Sequence, residues 1–200
     1  FKIPPGNTAD WYAMHVAMSI LGAGQSSRLY QRLVKDGEVA VMARADADER
    51  RGTSLAGVEV MARPGKDLKQ IEALVYEEID RLGKEPAADW ELEKVRRQLR
   101  RQRVGGLQST MFRAIQLGEA AVFFNDPNLI NTFEAKYVKV GKEDVRRVVK
   151  KYLVKDNRTV VTTLPRPAGA PAAADQAPGQ APAQAPGQPA GQPAGKEGKR

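Results

Sequence analysis

The side chains of this sequence that could do chemistry are concentrated between Leu21 and Val41. Its first half carries two glycines, a pair of serines and then an arginine, a tyrosine and a second arginine, namely Gly22, Gly24, Ser26, Ser27, Arg28, Tyr30 and Arg32. A phosphate-binding loop is one interpretation. However, the stretch lacks the Lys-Ser/Thr pair of a Walker loop and the third glycine of the dinucleotide fingerprint, and it follows a predicted helix rather than a strand. We interpret it as a tight helix–helix turn whose glycines permit close backbone approach.

This sequence contains few side chains suited to hydrolytic catalysis. A catalytic zinc site commonly uses two histidines on one helical face and a glutamate base. This chain has a single histidine, His15, among apolar helix positions, and it has no cysteine. A Ser-His-Asp triad would need the same His15, and no Gly-x-Ser-x-Gly elbow is present. We therefore interpret His15 as a core or edge histidine and expect this chain to bind no metal or other cofactor.

Hydrophobic periodicity predicts the elements that position these residues. Helices are predicted before and after the glycine turn, the second opened by Ser26-Ser27. Strands over residues 39–45 and 54–63, joined by a polar turn, predict an antiparallel hairpin. A last strand is predicted over residues 159–164. Between residue 63 and this strand, the hydrophobic periodicity is that of helices. Because helices and strands are grouped in this way, we expect an α+β fold with helices packed on one face of an antiparallel or mixed sheet.

The predicted helices have recognisable starts and breaks. Asp67 and Asp89 are expected to open two of them, and Gly105-Gly106 is expected to break the second, since glycine costs about 1 kcal/mol relative to alanine inside a helix. Three further helices are predicted over residues 107–124, 130–140 and 143–153. None of these apolar runs approaches the roughly 18 residues that span a bilayer, so we predict no transmembrane segment.

The composition changes abruptly at Pro165, after which Pro, Ala, Gly and Gln dominate. No large apolar residue follows Leu164, so this segment cannot bury enough surface to offset the entropy of ordering. The sequence thus predicts a domain over residues 1–165 and a disordered tail over 166–200. Because the chain opens at Phe1 rather than Met, we treat it as a piece of a longer protein.

The net charge of +8 raises the question of an acidic partner. Much of the excess lies in the predicted helix from Glu91 to Arg103, which could neutralise phosphates. The apolar stripe of Leu92, Val95 and Leu99 indicates instead that this helix is half-buried, and no aromatic stacking residues accompany its basic face. Binding of nucleic acid is kept as a minor alternative.

Short motifs along residues 1–165 carry a family resemblance through their order and spacing. They are Asp10-Trp-Tyr-Ala13, Ile20-Leu-Gly22, Ser26-Ser-Arg-Leu-Tyr30, Ala62-Arg-Pro-Gly65, Trp90-Glu-Leu-Glu-Lys94, Asp126-Pro-Asn128, Glu143-Asp-Val-Arg-Arg-Val148, and Lys151-Tyr-Leu153 before an Asn157-x-Thr-Val-Val strand. Together they resemble the C-terminal-type domain of the insulinase/pitrilysin (M16-type) zinc metallopeptidases. That family includes the mitochondrial processing peptidases and their bacterial two-subunit relatives.

The resemblance implies a role for the chain. In this family two homologous halves close around a peptide, and one of them holds zinc through an inverted His-x-x-Glu-His motif, which is absent here. We therefore expect a zinc-free half that forms a wall of the substrate chamber and is inactive by itself. Zinc is expected in a partner half, upstream in the same chain or in a separate subunit, with a peptide or unfolded protein as substrate. The expected location is the periplasm or cell envelope of a bacterium.

The resemblance also implies where substrate would be contacted. In active relatives the zinc-free half supplies an Arg and a Tyr seven residues apart, just after the Ser-Arg-Leu-Tyr segment. The corresponding positions here are Val34 and Val41, so neither residue is kept. The remaining candidates are Gly22, Gly24, Ser27, Arg28, Tyr30 and Arg32. The missing pair supports a second hypothesis, a catalytically silent scaffold or assembly module of the cell envelope.

Overall fold

The computed structural model describes residues 1–165. The elements, in order, are β1 (Lys2–Ile3), α1 (Ala9–Gly22), a π-helix (Tyr30–Asp36), β2 (Ala40–Ala47), β3 (Ser54–Ala62), α2 (Leu68–Lys84), α3 (Asp89–Leu107), α4 (Thr110–Phe124), α5 (Leu129–Val138), α6 (Lys142–Tyr152) and a 3-10 turn (Lys155–Asn157). Residues 1–160 form one compact unit. The predicted tail over 166–200 lies outside the described residues. Within residues 1–165, no helix is both long and apolar enough to cross a membrane.

The sheet is small and antiparallel, with strand order β1-β3-β2. The β2–β3 hairpin runs from the Ala40–Ala62 pair to the Ala47–Ala56 pair, with a register shift between Ala40 and Met42. β1 pairs with the start of β3. Helix α1 packs on β2, and α6 packs on α1 and α2. The predicted hairpin and the predicted α+β class are both confirmed.

Helix α1 forms the centre of the core because nearly all of its residues are buried. Thr8 caps its start, with Oγ1 accepting a hydrogen bond from the Trp11 backbone N–H at 3.3 Å. The side chains of Met14, Met18 and Leu21 have no solvent exposure. Since full burial of such a side chain stabilises the fold by about 1.5–3 kcal/mol, α1 is a principal source of stability. It is also the element from which the glycine loop departs.

Two sequence-based expectations are wrong. Helix α3 continues through Gly105 and Gly106 to Leu107, and the break falls at Gln108-Ser109 instead. A Cβ at Gly106 would lie 2.5 Å from Cε1 of Phe112, so this glycine permits the close packing of α4 on α3. The predicted strand over 159–164 is also absent from the described residues, where positions 158–165 form no regular structure. β-branched residues favour a strand, but they form one only where a neighbouring strand supplies hydrogen bonds.

His15 lies in an aromatic cluster of the core. Its ring centroid is 5.1 Å from that of Trp11, and Nδ1 lies 2.5 Å from the hydroxyl oxygen of Tyr137. Burial lowers the pKa of His15 from its usual value to about 4, because the charged imidazolium would lose its hydration. The structure thus places His15 among core side chains.

The acid stability of the domain is expected to depend on His15. Between pH 6.5 and pH 4 the unfolded chain binds a proton that the folded chain does not, so stability falls as the pH is lowered through this window. After allowance for partial exposure, we expect the loss at pH 4 to be about 2 kcal/mol larger in the unchanged chain than in His15→Gln. Glutamine can still accept a hydrogen bond from Tyr137. Urea unfolding at a series of pH values measures the difference, and parallel pH profiles would contradict the assignment.

Candidate functional site

The glycines of the loop after α1 have different environments. Gly22 is buried on β2, where a Cβ would lie 1.8 Å from the backbone nitrogen of Ala45. Gly24 is exposed, with φ at +81° and no atom within 4 Å of a Cβ position. Positive φ favours glycine because other residues are strained there. Gly22 therefore allows α1 to approach the sheet, whereas Gly24 lets the loop expose its backbone.

Arg28 forms a buried ion pair with Glu91 of α3. Its Nε and Nη2 donate to Oε1 and Oε2 of Glu91, both at 2.8 Å, and the two side chains are only 14% and 5% exposed. Oε2 of Glu91 also accepts from the backbone N–H of Ala88 at 2.8 Å and so caps α3. Although burial raises the pKa of Glu91, the hydrogen bonds from Arg28 and Ala88 outweigh it and hold the pKa below its usual value. Arg28 thus fastens the loop to the start of α3.

The segment after Arg28 is a π-helix, which the sequence analysis did not predict. The Gly37 backbone N–H donates to the Arg32 carbonyl, five residues back, at 3.1 Å. A segment of seven residues is too short for hydrophobic periodicity to distinguish a π-helix from an α-helix. Helices of this kind are rare and are often found at functional sites.

The other candidate residues lie in different environments. Ser27 is fully buried, and its Oγ has no hydrogen-bond partner among the described residues. Arg32 lies 3.5 Å from Glu77 of α2 in an exposed ion pair. Val34 packs against the core, and Val41 is exposed on β2. The structure therefore does not gather the predicted contact residues into one site.

A groove of about 730 Å³ lies between the glycine loop and the outer face of α3. Its walls are formed by Ala23, Gly24, Ser26, Trp90, Glu93, Lys94, Arg97, Gln98 and Arg101. Nζ of Lys94 donates to the Ser26 carbonyl at 3.0 Å and lies 5.4 Å from the centroid of the Trp90 ring. Of the predicted contact residues, only Gly24 lines this groove.

The groove residues of α3 were missed as a site by sequence reasoning. Trp90, Lys94, Arg97 and Arg101 are separated by four, three and four positions, which is the spacing of one helical face. This spacing is visible in the sequence, but the apolar stripe on the same helix favoured the interpretation of a half-buried structural helix. Chemically, the groove offers cations and an indole ring, which suit binding of an anion.

The described residues contain no arrangement suited to metal catalysis. Within residues 1–165, no group of three or more His, Asp or Glu side chains is placed to hold a metal ion. The aromatic cluster around His15 has no second histidine, because His15 is the single histidine of the sequence.

The family follows from a match over the first part of the chain. Residues 1–99, which include α1, the glycine loop, the sheet and the start of α3, match the family model of the peptidase M16 inactive domain. This part of the chain belongs to the M16 peptidase family. The match is to the non-catalytic kind of M16 domain, so the predicted family is confirmed. The narrower likeness to processing-peptidase subunits stays a prediction.

Solved structures agree with this M16 assignment at the level of the fold. The inactive peptidase domain of a zinc protease from Bordetella parapertussis is 22% identical, with a TM-score of 0.72, and the match covers 85% of this chain and 92% of that one. A protease from Helicobacter pylori is 19% identical, with a TM-score of 0.71, and the match covers 78% of this chain but 37% of that chain.

A more distant structural relative is the periplasmic protease PqqL from Escherichia coli. It is 17% identical, with a TM-score of 0.56, and the match covers 76% of this chain and 17% of PqqL. No curated protein matches this chain in sequence. The domain therefore corresponds to nearly all of one relative and to a small part of others.

Proposed function

We propose that this M16 inactive domain pairs with a zinc-bearing His-x-x-Glu-His half and forms one wall of a chamber in which a peptide or unfolded protein is cleaved. The observation that carries the proposal is the match of residues 1–99 to the inactive domain of a peptidase family. The partner is either a separate subunit or another part of the same polypeptide. In this arrangement the zinc half supplies the Lewis acid and the activated water, and this chain supplies binding surface.

An exposed apolar face on α4 supports the pairing. Met111, Ile115 and Val122 lie on one stripe of this helix and are 74%, 46% and 70% exposed. We call these three residues the α4 stripe. Within α4, Ala120 is the residue that is buried. Since contiguous exposed apolar surface commonly marks an interaction site, a partner half is a natural cover for this face.

Charged substitutions in the α4 stripe are expected to weaken pairing without unfolding the domain. Met111→Lys with Val122→Lys places two charges in a surface that becomes desolvated on pairing, so we expect the dissociation constant to rise about tenfold or more. The control is Met61→Lys on β3, which adds one charge at a residue that is 55% exposed and outside α4.

The measurement is a titration of the full chain with the His-x-x-Glu-His protein of the same genome, followed by calorimetry or sedimentation. Far-UV circular dichroism confirms that each variant is folded. An equal effect of the α4 and Met61 substitutions would place the interface elsewhere, and no pairing of the unchanged chain would count against the proposal itself.

We propose a periplasmic or cell-envelope location for the chain. The support is its likeness in fold to PqqL, which is a periplasmic protease. Export to the periplasm of the native organism, tested by fractionation with a reporter fused to the complete gene product, would be the direct measurement. Retention in the cytosol would contradict it.

The second candidate function is a silent scaffold module of the cell envelope. It is favoured by Val34 and Val41, the positions that the family resemblance aligns with the Arg and Tyr that hold the substrate in active relatives. Val34 packs against the core, so this position does not offer a polar group to a peptide. Pairing with the zinc half that leaves its peptidase activity unchanged would favour the scaffold.

A further inference from the structure

We propose that the groove between the glycine loop and α3 is a binding site for an acidic peptide segment. This inference deepens the proposed function by naming a substrate class, and it rests on that function only for the claim that the bound peptide is a substrate. Binding itself is a property of this chain alone. The site comprises the loop residues Gly24 and Ser26 and the α3 side chains Trp90, Lys94, Arg97 and Arg101.

The charge balance of the groove favours an anion. Three cations, Lys94, Arg97 and Arg101, line it against the single carboxylate of Glu93. That carboxylate is already engaged by Arg96 at 3.2 Å and by Arg97 at 3.7 Å. Among residues 1–165, neither Lys94 nor Arg101 has an ion-pair partner within 4.0 Å. The groove therefore keeps positive charge that the fold does not neutralise.

Lys94 is held in place for such a role. Its Nζ is fixed by the Ser26 carbonyl at 3.0 Å and by the face of the Trp90 ring. Burial lowers the pKa of Lys94, which indicates that its ammonium group has lost part of its hydration. A carboxylate that entered the groove would restore an opposite charge next to this ammonium. A preorganised and partly dehydrated cation is a stronger anion ligand than a free surface lysine.

The dimensions of the groove suit a short peptide segment. Lys94 and Arg101 are two helical turns apart, or about 10 Å along the axis of α3. About three residues of an extended peptide cover this distance, since each spans about 3.3 Å. The opposite wall adds a hydrogen-bond donor: within the described part of the chain, the backbone N–H group of Ser26 has no acceptor. This N–H group can donate to a carbonyl or carboxylate oxygen of such a segment.

Nucleic acid fits the groove less well than a peptide does. Single-stranded nucleic acid binds through a longer basic track combined with several stacking aromatic rings. The groove contains one aromatic side chain, Trp90, and its ring already faces the ammonium group of Lys94.

Trp90 provides an internal probe of binding. Its side chain is 59% exposed, whereas the other tryptophan, Trp11, is 3% exposed and donates through Nε1 to the Asp48 carbonyl at 2.7 Å. Occupation of the groove should therefore change the fluorescence of Trp90 and leave that of Trp11 constant. Trp90→Phe should abolish the signal.

The test is a fluorescence titration of the full chain with a peptide of five glutamates flanked by alanines, at about 50 mM salt, where screening is moderate. We expect saturable binding that weakens with salt and is absent for the same peptide with glutamine in place of glutamate. Arg97→Gln with Arg101→Gln should raise the dissociation constant about tenfold or more. Arg100→Gln with Arg113→Gln, which removes the same charge outside the groove, should change it less than about twofold.

Each other outcome overturns the proposal. Equal weakening by the two double variants would show a general charge effect, and an unchanged Trp90 signal on binding would place the site elsewhere. Tighter binding of a single-stranded oligonucleotide or of a phosphatidylglycerol vesicle would assign the groove to those ligands. Pairing with the zinc half is measured separately, so a failure here leaves that result intact.

Discussion

Arg28→Met is expected to lower the free energy of unfolding by about 3–5 kcal/mol, because it leaves the Glu91 carboxylate buried without a counter-charge. The two side chains are only 14% and 5% exposed, so water cannot solvate the remaining charge at low cost. Glu91 also caps α3 through the Ala88 N–H, so protonation of the isolated carboxylate would weaken the start of that helix too. Urea unfolding at pH 7 measures this change in the free energy of unfolding.

Arg32→Met is the matched control for this prediction. Arg32 lies on the same segment and forms an ion pair with Glu77 at 3.5 Å, but both side chains are about half exposed or more, at 49% and 62%. Exposed pairs contribute about 0–1 kcal/mol, so a small change is expected. The double variant Arg28→Met with Glu91→Met should recover part of the loss, since it removes the unpaired charge. Equal effects of Arg28→Met and Arg32→Met would show that the Arg28–Glu91 pair does not fasten the loop to α3.

Gly22→Ala is expected to destabilise the domain by about 3 kcal/mol or more, through a steric clash. The added Cβ would lie 1.8 Å from the Ala45 backbone nitrogen and 2.6 Å from its Cα. These are backbone atoms of β2, so relief would need α1 and the sheet to move apart.

Gly105→Ala is the opposite control. Gly105 lies inside α3, with no atom within 4 Å of a Cβ position, so alanine should stabilise the domain by up to about 1 kcal/mol through its higher helix propensity. Thermal or urea unfolding of the two variants should therefore shift in opposite directions. A neutral Gly22→Ala would mean that α1 does not approach β2 as closely as the structure has it.

The sequence predicts most of this fold because its local signals agree with the tertiary packing. Asp67 caps the helix that it was expected to open, and the polar turn after β2 forms the hairpin. Gly105-Gly106 was misjudged because helix propensity was outweighed by the contact of Gly106 with Phe112, a tertiary contact that no local pattern reveals.

The candidate site was less predictable than the fold. The contact positions implied by the family resemblance all lie between Gly22 and Val41. The groove is completed by α3, more than sixty residues further along the chain. Ser26 and Lys94 are brought together only by the fold. The role of Arg28 was equally hidden, since its partner Glu91 was interpreted only as part of a charged helix.

The most direct test of the central claim is an assay of zinc content and peptide cleavage for the full chain alone, the zinc half alone and the two together. A quenched fluorescent unfolded peptide serves as substrate, and the bound metal is quantified by mass spectrometry. We predict that this chain alone is zinc-free and inactive, and that its addition raises kcat/KM of the zinc half. Stoichiometric zinc in the purified chain, with cleavage in the absence of any partner, would contradict the account.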